Sequence, residues 1–139
     1  MLFYSKDAGL LRKLAKLPSD TILLGNNFYT EFKGALGENF VLQSLIAQFE
    51  VIPRYWTSQG KAEIDFLIQN NTYIIPIEVK SSANAASKSL SVYEKTFSPK
   101  YRICFSLNNL KKDANMINIP IFLADWTSKL LINIENEEN

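Results

Sequence analysis

At 139 residues, with 47% hydrophobic, 12% aromatic and 21% charged residues and only five Gly and five Pro, the chain has the make-up of one globular domain, which excludes disordered and fibrous architectures. Fifteen Lys and Arg against fourteen Asp and Glu leave a net charge of +1, so no overall field draws it to nucleic acid or an anionic membrane, and any polyanion contact must come from a local patch. There is no His, which excludes imidazole bases, Ser-His and Cys-His pairs and His-ligated zinc, and leaves acid-base chemistry to carboxylates, Lys and Tyr.

Between Gly9 and Pro18, Leu10, Leu14 and Leu17 fall at helical spacing with Arg12, Lys13 and Lys16 between them, predicting a short amphipathic helix. A helix this short is marginal alone in water, so it is expected to pack on the sheet or on the helix that follows. The first residues lack a charged segment followed by an apolar one, and no apolar run nears the roughly 20 residues of a membrane span. Cys104 is the only cysteine, expected as a small buried side chain between Ile103 and Phe105. A cytoplasmic protein without membrane contact is expected.

From Phe28 to Phe49, the residues Phe32, Ala35, Leu36, Phe40, Val41, Leu45 and Phe49 recur at three- and four-residue steps, predicting a longer helix with its firm core between Gly34 and Gln48. Glu38 lies near the start of that core. Gly34 and Gly37 weaken it by about 1 kcal/mol each relative to Ala, which points to a close approach or a helix start. Past Pro53 come Arg54–Thr57, Ala62–Ile68 and Thr72–Lys80, short runs rich in β-branched and aromatic residues, parted by Ser58-Gln-Gly60 and Asn70-Asn71. They predict a three-stranded meander. Alternation places Ile64, Phe66 and Ile68 on one face and Glu63 and Asp65 on the other; in the next strand Ile75, Ile77 and Val79 oppose Glu78 and Lys80. A weak helix at Lys88–Phe97, strands at Tyr101–Ser106 and Ile119–Leu123, and a closing helix over Trp126–Ile132 complete a mixed α/β domain spanning residues 1–134. The acidic residues 135–139 are expected to fray.

Asp65, Glu78 and Lys80 can therefore meet on one face. Carboxylates inside strands flanked by Ile, Phe and Val need either a strong ion pair or a bound cation. With Glu38 added from the helix, the set is a hard-oxygen site of the kind that holds hydrated Mg²⁺ or Mn²⁺. Such an ion acidifies bound water and neutralises charge developing on a phosphodiester, while Lys orients or activates the nucleophile. A lone Glu-x-Lys is an ordinary half-exposed pair worth under about 1 kcal/mol; the apolar flanks, the spacing to Asp65 and the helical Glu38 distinguish this one. Glu63 is expected on the solvated rim. Tyr55 and Trp56 are expected in core or hairpin packing ahead of base stacking, and Ser81 and Ser82 either bond a phosphate or cap the strand exit. Lys88, Lys95, Lys100, Arg102, Lys111 and Lys112 either position phosphates or are solvated.

Asp65, a twelve-residue gap and then Glu78-Val79-Lys80, with Glu38 upstream, resemble the PD-(D/E)XK nuclease signature of restriction-endonuclease-like folds. Further blocks run along the chain: Asp7-Ala-Gly-Leu-Leu11, Gly34-Ala-Leu-Gly-Glu-Asn-Phe-Val41, Tyr55-Trp56, Ala62-Glu-Ile-Asp-Phe66, Pro76-Ile-Glu-Val-Lys-Ser81, Lys88-Ser-Leu90 and Ile119-Pro-Ile-Phe122. Together they resemble the domain of unknown function that follows the ATPase module in a family of prokaryotic AAA+ ATPases, itself similar to PD-(D/E)XK nucleases. The resemblance implies a restriction-endonuclease-like mixed sheet flanked by helices, a Mg²⁺- or Mn²⁺-dependent nuclease site, and DNA or RNA as substrate. It implies Asp65 and Glu78 as metal ligands with the Val79 carbonyl as a further one, Lys80 on the attacking water, and Glu38 assisting through a second metal or a bound water. An ATPase module or self-association would supply the partner. No Gly-rich loop ending in Gly-Lys-Ser/Thr occurs, so no nucleotide site of that type is expected, and the chain reads as a fragment or a free-standing descendant. The alternative expectation, suggested by the near-zero net charge, is a catalytically silent module that docks nucleic acid, an ATPase or another protein.

Overall fold

In the computed structural model, which describes residues 27–49, 54–60, 62–81 and 87–139, the three- and four-residue recurrence of apolar side chains produces helix α1, Asn27–Gln48. Leu10, Leu14, Leu17, Ser82 and the Tyr55 side chain lie outside the described residues. Six strands follow: β1 (Arg54–Ser58), β2 (Ala62–Asn70), β3 (Tyr73–Val79), β4 (Arg102–Ser106), β5 (Lys111–Asp113) and β6 (Met116–Pro120). They form one mixed sheet in the order β1-β2-β3-β4-β6-β5. β1, β2 and β3 are the antiparallel meander expected from the alternation, β3, β4 and β6 run parallel, and β5 returns antiparallel on the edge. A parallel pair needs a crossover, and helix α2 (Lys88–Phe97) supplies it between β3 and β4. After β6 a 3-10 turn, Ile121–Trp126, leads into helix α3, Thr127–Glu138.

Two apolar clusters hold these elements. On one side Val41, Leu42 and Leu45 of α1 and Leu131 of α3 pack with sheet residues that include Phe66, Ile75, Ile103 and Phe105. On the other, Leu90 and Tyr93 of α2 pack with Ile64 and Cys104, bordered by Trp56, Leu67 and Met116. Ile64 thus parts company with Phe66 and Ile68, contrary to strict alternation. The cause is a register slip: Arg54 opposes Leu67 and Trp56 opposes Ile64, two steps on β1 against three on β2. The extra residue is a β-bulge in β2, and it turns Ile64 towards α2.

Three further departures have local causes. The last strand lies at Met116–Pro120 instead of Ile119–Leu123, because Asn118 accepts from Ser106 Oγ at 2.7 Å and donates to the carbonyls of Asn108 and Asn109, while the chain turns helical at Ile121. Edge strand β5 is Lys111-Lys112-Asp113, all exposed, so it carries no apolar signal, and its turn uses Ala114 at φ +51° in place of Gly. The acidic end is helical in this structure: α3 reaches Glu138, Tyr73 donates to Glu135 and Tyr101 donates to Glu138 at 2.5 Å, with Lys100 and Lys112 paired to the same two carboxylates at 3.4 and 2.8 Å. No helix among the described residues is long and apolar enough to cross a membrane.

Gly37 lies on α1 above the end of β3. A Cβ there would meet Ile121 Cδ1 at 3.7 Å and Val79 Cγ1 at 3.8 Å, ordinary contact distances. Gly37→Ala should therefore stabilise the helix by up to about 1 kcal/mol and raise the melting temperature by about 3 °C in a thermal scan.

Candidate functional site

β2 and β3 stay paired from Asn70 and Tyr73 up to Phe66 and Ile77. Past that point the Val79 N–H donates to a side chain, Asp65 Oδ2, at 2.8 Å. On its other side β3 remains fixed: Glu78 lies beside Cys104 of β4, and the Lys80 N–H donates to the Phe105 carbonyl at 2.8 Å. Asp65 therefore stands where the two strands part, within the bulged segment of β2 between Ile64 and Leu67.

Glu78 shares the α2 side of the sheet with Cys104. Lys80 Nζ lies 3.2 Å from Glu78 Oε1, both side chains mostly covered, and Ser87 Oγ donates to Glu78 Oε2. Ser87 is also the N-cap of α2, accepting the Leu90 N–H at 3.0 Å. The sequence signal for Ser87 is its place three residues before the first buried Leu of an amphipathic run, an N-cap position. Its hydroxyl ties a helix start and a strand carboxylate together. Ser87→Ala should cost on the order of 1 kcal/mol, measured by denaturant unfolding, whereas Ser87→Thr should retain most of that.

Glu38 reaches the same region from α1. Its Oε2 is buried and has no hydrogen-bond partner among the described residues. Burial, with the charges of Asp65 and Glu63 added, pushes the Glu38 carboxyl up to about 7. Asp65 is pushed up to about 6, mainly by burial and further by Glu78 and Glu63, while the Val79 N–H and Lys80 act against the rise. Burial also raises Glu78, with Lys80 opposing. The Cys104 thiol is driven to about 12 by burial and by Glu78, so it stays protonated and inert.

The expected residues thus divide clearly. Asp65, Glu78 and Lys80 come together, the charge of Asp65 acts on Glu38, and Val79 joins by its backbone N–H. Glu63 is exposed at the rim. Trp56 packs edge-on against Tyr93 and Phe97 of α2, with ring centroids 5.2 and 5.7 Å away, at the border of the apolar cluster on that side of the sheet. Lys80 acts on Asp65 and Glu78, while Glu63 adds its charge to Asp65 and Glu38, so the cluster is short of positive charge, and Glu38 Oε2 is buried with no hydrogen-bond partner among the described residues. Carboxylate oxygens are the donor type that hard divalent cations take. In the geometry described, Glu78 is turned to Lys80 and Ser87 and Asp65 to Val79, and no three Asp, Glu or Cys side chains among the described residues are gathered closely enough to hold an ion.

Among the described residues, fold and site define a mixed α/β domain with a six-stranded mixed sheet, three helices and an acidic cluster at the end of its central strands. The chain belongs to the family described as Domain of unknown function (DUF4143), whose model matches residues 33–123. That span holds all six strands and the whole carboxylate cluster. No curated protein and no solved structure matches the chain.

Proposed function

We propose that this domain is a Mg²⁺- or Mn²⁺-dependent phosphodiesterase of restriction-endonuclease-like architecture that acts on nucleic acid, working in the cytoplasm beside an ATPase module or a second copy of itself. The observation that carries the reading is the meeting of Asp65, Glu78 and Lys80 where β2 and β3 part, in a cluster short of positive charge. Asp65, Glu78 and the Val79 carbonyl would hold the cation, which when bound would acidify a water and neutralise charge on the scissile phosphate. The Lys80 ammonium donates a hydrogen bond that orients the attacking water and offsets the negative charge gathering on the phosphate oxygens. Glu38, titrating near neutrality, takes up the proton of that water directly or through a second one. Ser87 fixes the rotamer of Glu78 throughout.

A second reading, a module that docks nucleic acid or protein without cutting, is favoured by one feature: both oxygens of Glu78 are already engaged, by Lys80 and by Ser87. Incubating the chain with single- and double-stranded DNA and with RNA separates the two. Products that form in Mg²⁺ or Mn²⁺ and vanish with chelator are expected; intact substrates under every condition would leave the silent module.

A further inference from the structure

Seven basic residues follow Lys80 in sequence, and their partners sort them. Lys100, Arg102 and Lys112 are tied to Glu135, Glu94 and Glu138 at 3.4, 2.9 and 2.8 Å. Lys88 and Lys95 are exposed, make no ion pair among the described residues, and line a groove of about 760 Å³ between α2 and the strands β4 to β6. Lys88, Ser91 and Lys95 are spaced three and four residues apart, so they form one stripe along α2 with about 10 Å of helix rise between the two lysines. The groove begins at Ser87, the residue whose hydroxyl holds Glu78. Ser87 is thus common to the groove and to the carboxylate cluster, and the positive end of the α2 dipole lies at that residue.

We infer that this groove carries the phosphate backbone of a nucleic-acid strand away from Glu78, with Lys88 beside the site and Lys95 two helical turns further out. The inference rests on the phosphodiesterase reading for its direction, though the groove has its own test. Arg102 lines the floor, but its guanidinium is spent on Glu94 and Asn115, so it shapes the groove without offering charge. Asp113 lies among the residues that line the groove and repels phosphate, which keeps the strand on the α2 side.

Fluorescence anisotropy with short labelled single-stranded DNA, duplex DNA and RNA, in chelator so that nothing is cut, tests the track. Lys88→Glu with Lys95→Glu should weaken binding on the order of tenfold or more and reduce the slope of log affinity against log salt by about 1.4 to 1.8. Asp113→Asn should tighten binding, and Lys129→Glu, outside the groove, should leave it unchanged. Both lysines are exposed, so thermal melts of the double variant should match wild type and exclude misfolding. Equal affinity of wild type and double variant overturns the track, as does a wild type that binds none of the three strands. Binding that depends on both lysines without any cleavage in Mg²⁺ or Mn²⁺ upholds the track and sinks the phosphodiesterase. Cleavage that the double charge reversal leaves unchanged sinks the track alone.

Discussion

Replacing Asp65 or Lys80 by Ala should reduce metal-dependent cleavage by about 100- to 1000-fold, the scale on which losing one preorganised charge at a reacting phosphate operates. The two substitutions fail for different reasons. Asp65 has a structural duty, since its Oδ2 is the partner of the Val79 N–H, so Asp65→Ala also leaves a backbone donor unmet at a cost of about 1–3 kcal/mol. Asp65→Asn keeps an oxygen for that donor and removes the charge; it should fold like wild type and still be inactive. Lys80→Arg should not rescue Lys80→Ala, because a planar fork cannot replace a point charge held 3.2 Å from Glu78. Initial rates with one labelled strand, beside thermal melts of each variant, separate loss of chemistry from loss of fold. Cleavage that survives both Ala substitutions would come from another site or another protein.

Stability should fall as pH rises from about 4 to about 7, the reverse of a protein held by paired carboxylates. The unfolded chain releases these protons at the ordinary values of 4.5 and 3.8, whereas the folded chain keeps them on Glu38 and Asp65 until about 7 and about 6. Between those limits the folded state binds more protons, so the free energy of unfolding declines with pH and flattens once both groups are ionised. Solvent screening at the partly exposed Glu38 reduces the effect, and a drop on the order of 2 kcal/mol is expected for the pair. Glu38→Gln removes the upper part of the decline and should be more stable than wild type at pH 8. Urea unfolding at pH 4.5, 6 and 8 reads both results. Adding Mn²⁺ at pH 8 should restore stability to the wild type, since a ligand of the folded state alone stabilises it by mass action.

The meander was legible in the sequence, and so was the shared face of Glu78 and Lys80, because a two-residue period survives along β3 and along β2 from Phe66 to Ile68, where the two strands stay in register. Ile64 was misassigned because a bulge is a property of two strands, and Arg54 and Leu67 carry no local mark of their mismatch. β5 went unseen because its three exposed residues owe their strand to the pairing with β6 alone. Glu135 and Glu138 looked solvent-bound because their partners, Tyr73 and Tyr101, lie dozens of residues away. The same distance hid the sorting of the basic residues, whose free and paired members look alike in sequence. Glu38 was legible as a helix carboxylate near the site, but its unpartnered oxygen depends on what α1 covers.

Calorimetric titration of Mn²⁺ into the chain at pH 8, alone and with an uncleavable phosphorothioate strand present, probes the carboxylate cluster most directly. Wild type should bind saturably in at least one of the two conditions, and Glu78→Ala should abolish that binding while α2 stays folded by circular dichroism. No saturable heat from wild type in either condition, or equal binding by Glu78→Ala, would contradict a cation site at Asp65 and Glu78.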